Sequence, residues 1–188
     1  VFFACDTAAM TAAPIYREKR VLVITPLVTT PRFSQLGDTF FRLAPNDAEN
    51  ARLLISQVSK KHKKLGVLTE AASEYCEDLA SELDNAARDS PLFLIHERSM
   101  PGISDFRTQL LRLKAQGVDS LLVNPNTEEF FVTVLRQLSD LHISLPVYGS
   151  YTPGSATFLN LAGKLAEGIV YTDFPALSSV MQGGSSLF

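Results

Sequence analysis

Tryptophan is absent from this chain of 188 residues, and cysteine and histidine are scarce, at two and three residues. Cys5 and Cys76 cannot build a disulfide framework, and their separation gives no metal-ligand spacing. His62, His96 and His142 are equally scattered, with no Cys, Asp or His at ligand spacing, and read as surface or strand-end residues. No metal or other cofactor is expected. Motifs that cradle phosphate or expose a nucleophile are missing as well: there is no G-x-G-x-x-G after a strand, no G-x-x-x-x-G-K-[ST] and no G-x-S-x-G. Gly183-Gly184-Ser185-Ser186 has no helix after it, and the adjacent Glu128-Glu129 point different ways on a helix, as in a solvated first turn. An enzyme is therefore not expected.

Strong charge of either sign is lacking too. The net charge is −3, and the 17 basic residues are dispersed except at Lys60-Lys61-His62-Lys63-Lys64, a run that reads as a solvated helix end. That excludes a continuous nucleic-acid footprint. No apolar run approaches the roughly 20 residues needed to span a bilayer. Val1-Phe2-Phe3-Ala4-Cys5 carries no basic residue and runs at once into Asp6, so it does not read as a signal peptide.

What is present is a 46% apolar composition, ample for a packed core. β-Branched runs of strand length alternate with segments of helical period, the pattern of repeated βα units and a parallel sheet covered by helices. The expected strands are Val1–Cys5, Val21–Thr25, Phe40–Leu43, Lys64–Leu68, Leu92–His96, Ser120–Val123, Pro146–Gly149 and Ile169–Thr172. Ala48–Lys60 is expected as a helix with Ala48, Leu53, Leu54 and Val58 inward, and Tyr75–Arg88 as one with Leu79, Leu83, Ala86 and Ala87 inward. Asp105–Gln116 places Phe106, Leu110, Leu111 and Leu113 inward ahead of a Gly117 stop. Thr127–Leu141 follows the turn and cap signal Asn124-Pro125-Asn126, with Phe130, Phe131, Val134, Leu135 and Leu138 on its apolar stripe. The first part differs: Val1–Thr25 is a single βαβ unit followed by a long polar connection over 26–38, and such a unit alone cannot bury both faces of its strands.

A succession of short motifs resembles one family. Cys5-Asp6-Thr7-Ala8, then Val21-Leu22-Val23-Ile24-Thr25-Pro26 with Thr29-Thr30-Pro31, is similar to the stretch of type I periplasmic solute-binding proteins that ends in an I-S-P-x-A-T-x-P loop. Phe41-Arg42-Leu43-Ala44-Pro45-Asn46-Asp47 resembles the F-R-x-x-P-x-D crossover of that family, and Tyr75 stands at the Tyr of its Y-G pair. Ser104-Asp105-Phe106-Arg107-Thr108-Gln109-Leu110, Gly117-Val118-Asp119-Ser120, Pro146-Val147-Tyr148-Gly149 and Leu161–Gly168 follow in collinear order. The resemblance, to the branched-chain amino-acid-binding members above all, covers nearly the whole chain. It implies a type I periplasmic-binding-protein fold: two α/β lobes joined by crossing strands, one nearly complete and one partial, closing on a ligand. On that comparison 1–39 is a partial N-terminal lobe, 40–46 a hinge crossover, 47–172 the C-terminal lobe and 173–188 a second hinge and tail. The chain would then be a piece of a longer one or, alternatively, a small homologue completed by a partner chain, with self-association through the incomplete lobe. The implied role is delivery of a small-molecule ligand to the membrane components of an ABC transporter in the periplasmic or extracellular space; the same module also serves as the sensing domain of receptors.

In such folds the ligand lies beyond the carboxyl ends of the parallel strands. The strand-end residues implied as ligand-binding are Asp6, Thr7, Leu27, Thr29, Tyr75, Asn126 and Tyr151. Thr29 stands where the family holds a ligand carboxylate with a Thr hydroxyl, or else stabilises its turn. Leu27 stands where the family uses backbone. Tyr75 stands at the aromatic covering the ligand, or else packs between lobes. Asn126 and Thr127 replace an aromatic. Two departures matter more. Asp6 replaces a Ser that receives a ligand carboxylate, and it either repels such a group or simply caps a helix; Tyr151 replaces a Glu that pairs with a ligand ammonium. An aromatic, amide-bearing or cationic ligand suits these residues as well as an amino acid does, and tight binding of leucine or valine is not expected.

Overall fold

The computed structural model of the chain describes residue 1, residues 6–71 and residues 73–174. The expected strand Val1–Cys5 falls outside these except for Val1, whose amino group donates to the Leu22 carbonyl at 3.1 Å and whose carbonyl accepts from the Ile24 amide at 3.0 Å. The stretch 175–188, with its Gly183-Gly184-Ser185-Ser186, also lies outside the described residues.

The elements alternate as βα units. They are α1 (Asp6–Glu18), β1 (Val23–Thr25), β2 (Phe40–Arg42), α2 (Asp47–Val58), β3 (Lys64–Glu70), α3 (Glu74–Ala87) and β4 (Phe93–Ser99). They continue with α4 (Arg107–Ala115), β5 (Ser120–Asn124), α5 (Glu128–Asp140), β6 (Val147–Ser150), α6 (Ala156–Ala162) and β7 (Val170–Thr172). All described strand pairs are parallel: β1 with β2, and a five-stranded sheet in the order β4-β3-β5-β6-β7. The chain leaves β3 outward to β4 and returns to β5 on the other side of β3, which makes a topological switch point between β3 and β5.

The strands of the large sheet are apolar on both faces because both faces are covered. On β3, Leu65 and Val67 join α2 and α3 through Leu54, Ile55, Leu79 and Leu83, whereas Leu68 joins the opposite core of α4, α5 and α6. On β5, Leu121 and Val123 face that second core and Leu122 the first, the two-residue alternation of a strand. Phe106 and Phe130 meet at 4.5 Å between ring centroids, and Phe131 and Phe158 at 5.0 Å. A third core of Ala9, Ala13, Val23, Val28, Phe33 and Phe40 holds α1 to β1 and β2. Helix starts are fixed by side-chain caps: Asn46 accepts from the Glu49 amide, Ser73 from Cys76, Thr127 from Phe130 and Ser155 from Phe158.

Several expectations are corrected. Leu53 and Leu111 are exposed; the buried face of α2 is instead Asp47, Asn50, Ala51, Leu54, Ile55 and Val58, and that of α4 is Leu110 and Leu113. Ala48 is only half-buried. β3 and β4 run on to Glu70 and Ser99, and β1 begins two residues late because the Val21 amide donates back to Tyr16 at the end of α1. The short helix α6 was not foreseen. His62 is not a plain surface residue, since its ring meets Tyr148 edge-on at 5.7 Å.

Gly149 on β6 shows how tight the second core is. A Cβ there would lie 2.8 Å from Phe131 Cε1 and 2.9 Å from Pro153 Cγ. Gly149→Ala is expected to destabilise the fold by about 1–3 kcal/mol through overpacking, read as a lowered Tm; a Tm equal to that of the unaltered chain would show that Phe131 and Pro153 yield without cost.

Candidate ligand-binding cleft

A cavity of about 230 Å³ lies at the carboxyl ends of the strands, between the α1–β1–β2 part and the five-stranded sheet. It is lined by Asp6 and Thr7 from the start of α1, Leu27 and Thr29 after β1, Ser73 and Tyr75 after β3, Asn126 after β5, Tyr151 after β6 and Phe174 after β7. All seven residues singled out in the sequence thus stand on one cavity. Strand ends converge there because parallel strands all point the same way.

The seven differ in what they offer. Asp6 is 6% exposed and is the first residue of α1, so it does not occupy the position before the helix that a plain N-cap would. Its Oδ1 accepts from the backbone amides of Thr29 at 2.9 Å and Thr30 at 3.2 Å. Thr29, 3% exposed, has its hydroxyl 2.8 Å from Asp47 Oδ2 and 3.4 Å from Asp6 Oδ2. One hydroxyl has one proton, so the shorter contact takes it and the Thr29 oxygen is left as an acceptor. A hydroxyl spent on an internal carboxylate cannot donate to a ligand carboxylate. Thr7, Leu27 and Asn126 are exposed at the rim, and the Asn126 amide is already given to Glu70 Oε2 at 2.7 Å.

The aromatic residues form the walls. Tyr151 stacks on Phe174 at 4.6 Å and 14°. Its backbone sits at φ 49°, ψ −51°, a costly conformation for a residue with a Cβ, and it is held by its amide donating to the Thr172 carbonyl at 2.7 Å. The Tyr151 hydroxyl is buried without a hydrogen-bond partner among the described residues. Burial, reinforced by the Asp47 charge, pushes the Tyr75 hydroxyl well above its usual range and the Tyr151 hydroxyl likewise, so both stay neutral donors.

Four residues that matter here were not singled out. Asp47 and Asn50 lie on the buried face of α2, three residues apart within the stripe that continues through Leu54 and Val58. Polar residues on a core stripe are the signal that could have found them. Asn50 Nδ2 donates to Ser150 Oγ at 2.5 Å, and the Thr172 hydroxyl donates to Asn50 Oδ1, which ties α2 to the ends of β6 and β7. Ser73 and Phe174 carry no comparable signal. Asp47 is fully buried; its Oδ2 accepts from Thr29 and its Oδ1 has no partner among the described residues. Burial pushes its carboxyl up to about 7, the Thr29 hydrogen bond and Arg42 opposing, Asp6 and Asp78 adding. Burial raises Asp6 as well, against the lowering effect of the Thr30 and Thr29 amides.

A carboxyl whose folded pKa exceeds its unfolded value favours the fold at low pH and loses that advantage as pH rises through the folded value. For Asp47 the window runs from about 4 to about 7, and the loss is on the order of 4 kcal/mol. Asp47→Asn is therefore expected to flatten the fall of Tm between pH 4 and pH 8 and to be the more stable form at pH 8. An unchanged slope would remove Asp47 as its source.

The sequence model described as periplasmic binding protein matches residues 1–179. The Leu/Ile/Val-binding protein of Citrobacter freundii is 25% identical over 174 residues, 89% of this chain and 46% of the relative. The leucine-, isoleucine-, valine-, threonine-, and alanine-binding protein of Pseudomonas aeruginosa is 24% identical over 171 residues, again 89% and 46%. The chain thus spans about half the length of the curated relatives it matches. Among solved structures, a leucine binding protein from Thermotoga maritima superposes with a TM-score of 0.81 at 20% identity, covering 90% of this chain and 49% of that one. A fatty acid ABC transporter substrate-binding protein from Thermomonospora curvata superposes at 0.75 with 16% identity, covering 90% and 44%. At these identities the structures establish the fold alone, and ligands as unlike as leucine and a fatty acid appear in the names of its carriers. The match of a single family model to nearly the entire chain, on a fold shared with such binders, makes this chain a member of the periplasmic binding protein family.

Proposed function

We propose that this chain supplies most of the ligand-contacting surface of a solute-binding protein that delivers a small molecule to an ABC transporter in the periplasmic or extracellular space. The observation that carries the reading is the cleft itself. A concave space of about 230 Å³ is lined by side chains from two separately cored parts, with a built aromatic wall and a buried polar floor. A few placed polar groups on a mostly apolar concavity is what a small-solute site requires. Residues 1–39 would act as one wall, 40–46 as a hinge crossover and 47–172 as the second lobe, with the ligand drawing the two parts together. Asp6, Thr7, Leu27, Thr29, Tyr75, Asn126 and Tyr151 would be its contacts, joined by Ser73 and Phe174. Leu22, Phe41 and Leu43 are exposed around β1 and β2, and self-association of the chain taken alone would use that apolar face.

The test is a thermal-shift screen of the protein at its full natural length against amino acids, amides, amines, organic acids and aromatic solutes. A ligand that binds only the folded state raises stability by about 2.7 kcal/mol at a hundred times its Kd. A rise in Tm confined to one chemical class is expected, and Tyr151→Ala or Tyr75→Ala is expected to weaken that ligand at least tenfold, about 1.4 kcal/mol. Substitution of the exposed Asn126 by Ala should matter less. No rise with any class would overturn the reading.

A further inference from the structure

The cleft has committed four backbone amides that could grip an anion and kept groups that attract a cation. The amides of Thr29 and Thr30 go to Asp6. The amides of Asn126 and Thr127 at the start of α5 go to Glu70 Oε2, at 2.7 and 3.0 Å. Among the described residues, none that lines the cavity is basic. The neighbouring Arg42 is turned inward on the Thr30 carbonyl at 2.8 Å and Ser34 Oγ at 2.8 Å. On the other side of the ledger, Asp47 is fully buried behind Thr29 with Oδ1 unpartnered among the described residues, and its charge is felt by Tyr75 and Tyr151, both of which line the cavity. The adjoining recess, which shares Thr7 and Ser73 with the cleft, presents Glu74, Glu77 and Asp78, of which Arg32 pairs with Glu74 and Asp78 and Arg98 with Glu77, leaving an excess of acid. Acid on the approach steers cations inward, and a buried carboxylate with one oxygen unsatisfied gains from a nearby positive charge. The faces of Tyr151 and Tyr75 favour the same sign.

We propose that the solute is a cation: a protonated amine or amidine carrying an apolar or aromatic body and no free carboxylate, its charged end toward Asp6, Thr29 and Asp47 and its body against Tyr75 and the Tyr151–Phe174 stack. This rests on the solute-binding reading above and narrows it. An amino acid would place its carboxylate beside two buried carboxylates that already share a threonine, where the described lining offers neutral hydroxyls such as that of Tyr151 but no basic side chain. The groups facing Asp47 are Asp6 on α1, Arg42 on β2, Tyr75 and Asp78 on α3, and Tyr151 after β6; with a cation bound, Asp47 must be ionised. Affinity for an amine therefore falls as pH is lowered below about 7.

Matched ligands separate charge from shape. Isopentylamine, leucinamide, leucine and isocaproate share one apolar body, and phenethylamine, phenylalaninamide, phenylalanine and hydrocinnamate share an aromatic one. Calorimetric titration of the full-length protein at neutral pH is expected to rank amine and amide at least tenfold above the amino acid in one of the two series, with no binding of the carboxylates. Asp47→Asn should lose at least tenfold for the amine and abolish its pH dependence. An amino acid or carboxylate that binds as tightly as its amine overturns the proposal. So does silence from both series alongside a Tm rise with some other solute class, which leaves the solute-binding reading standing. Silence from every class overturns both.

Discussion

Thr29 joins the two parts of this molecule from a single position. Its amide donates to Asp6 on α1, its hydroxyl to Asp47 at the start of α2, and its carbonyl accepts from the Asp47 amide at 2.9 Å. The residue therefore links the small β1–β2 part to the first helix of the large sheet, beside a cavity that needs both. Each partner is buried, so each hydrogen bond forms away from competing water, and a broken one leaves an unsatisfied polar group in the interior.

A second polar link lies deeper. Asn50 bridges Ser150 and Thr172, so the same helix face that carries Asp47 also ties down the ends of β6 and β7. Those ends lead directly to Tyr151 and to Phe174, whose rings stack as one wall of the cleft. The unfavourable backbone angles of Tyr151 persist because its amide and carbonyl are both held, by Thr172 and Gly154. Rigid strands and two buried polar links thus fix the aromatic wall from behind, while at the exposed rim Thr7 is placed by the first turn of α1 and Leu27 and Asn126 by loops.

Family membership and ligand identity separate cleanly here. The βα order that fixes the family also puts the cleft at the strand ends, whatever it holds. The charge of the cleft is decided by other residues. Glu70 closes the amides at the start of α5, Asp6 closes those of Thr29 and Thr30, and Arg42 faces backbone carbonyls. The backbone amides of Thr29, Thr30, Asn126 and Thr127 are thereby committed within the protein, and the tyrosine hydroxyls are among the donors that remain on the cleft.

Much of this was legible from the sequence because it is periodic. Alternation of β-branched runs with helical stripes placed most described elements to within a few residues, α6 excepted, and the residues implied by the family resemblance at the strand ends, Asp6, Thr7, Leu27, Thr29, Tyr75, Asn126 and Tyr151, stand on one cavity. Periodicity failed where a helix has two eligible faces: Leu53 and Leu111 are as apolar as their neighbours, and only the neighbouring sheet chooses which leucines go inside. The sequence by itself determined the βα order and the residues at the strand ends. Tertiary structure alone decided which polar groups are already spent, since the partners are distant along the chain: Thr29 and Asp6 are 23 residues apart, and Asn50 and Ser150 are 100. Hydrogen bonds of that separation leave no local pattern, because they exist only once burial has removed water as the alternative partner.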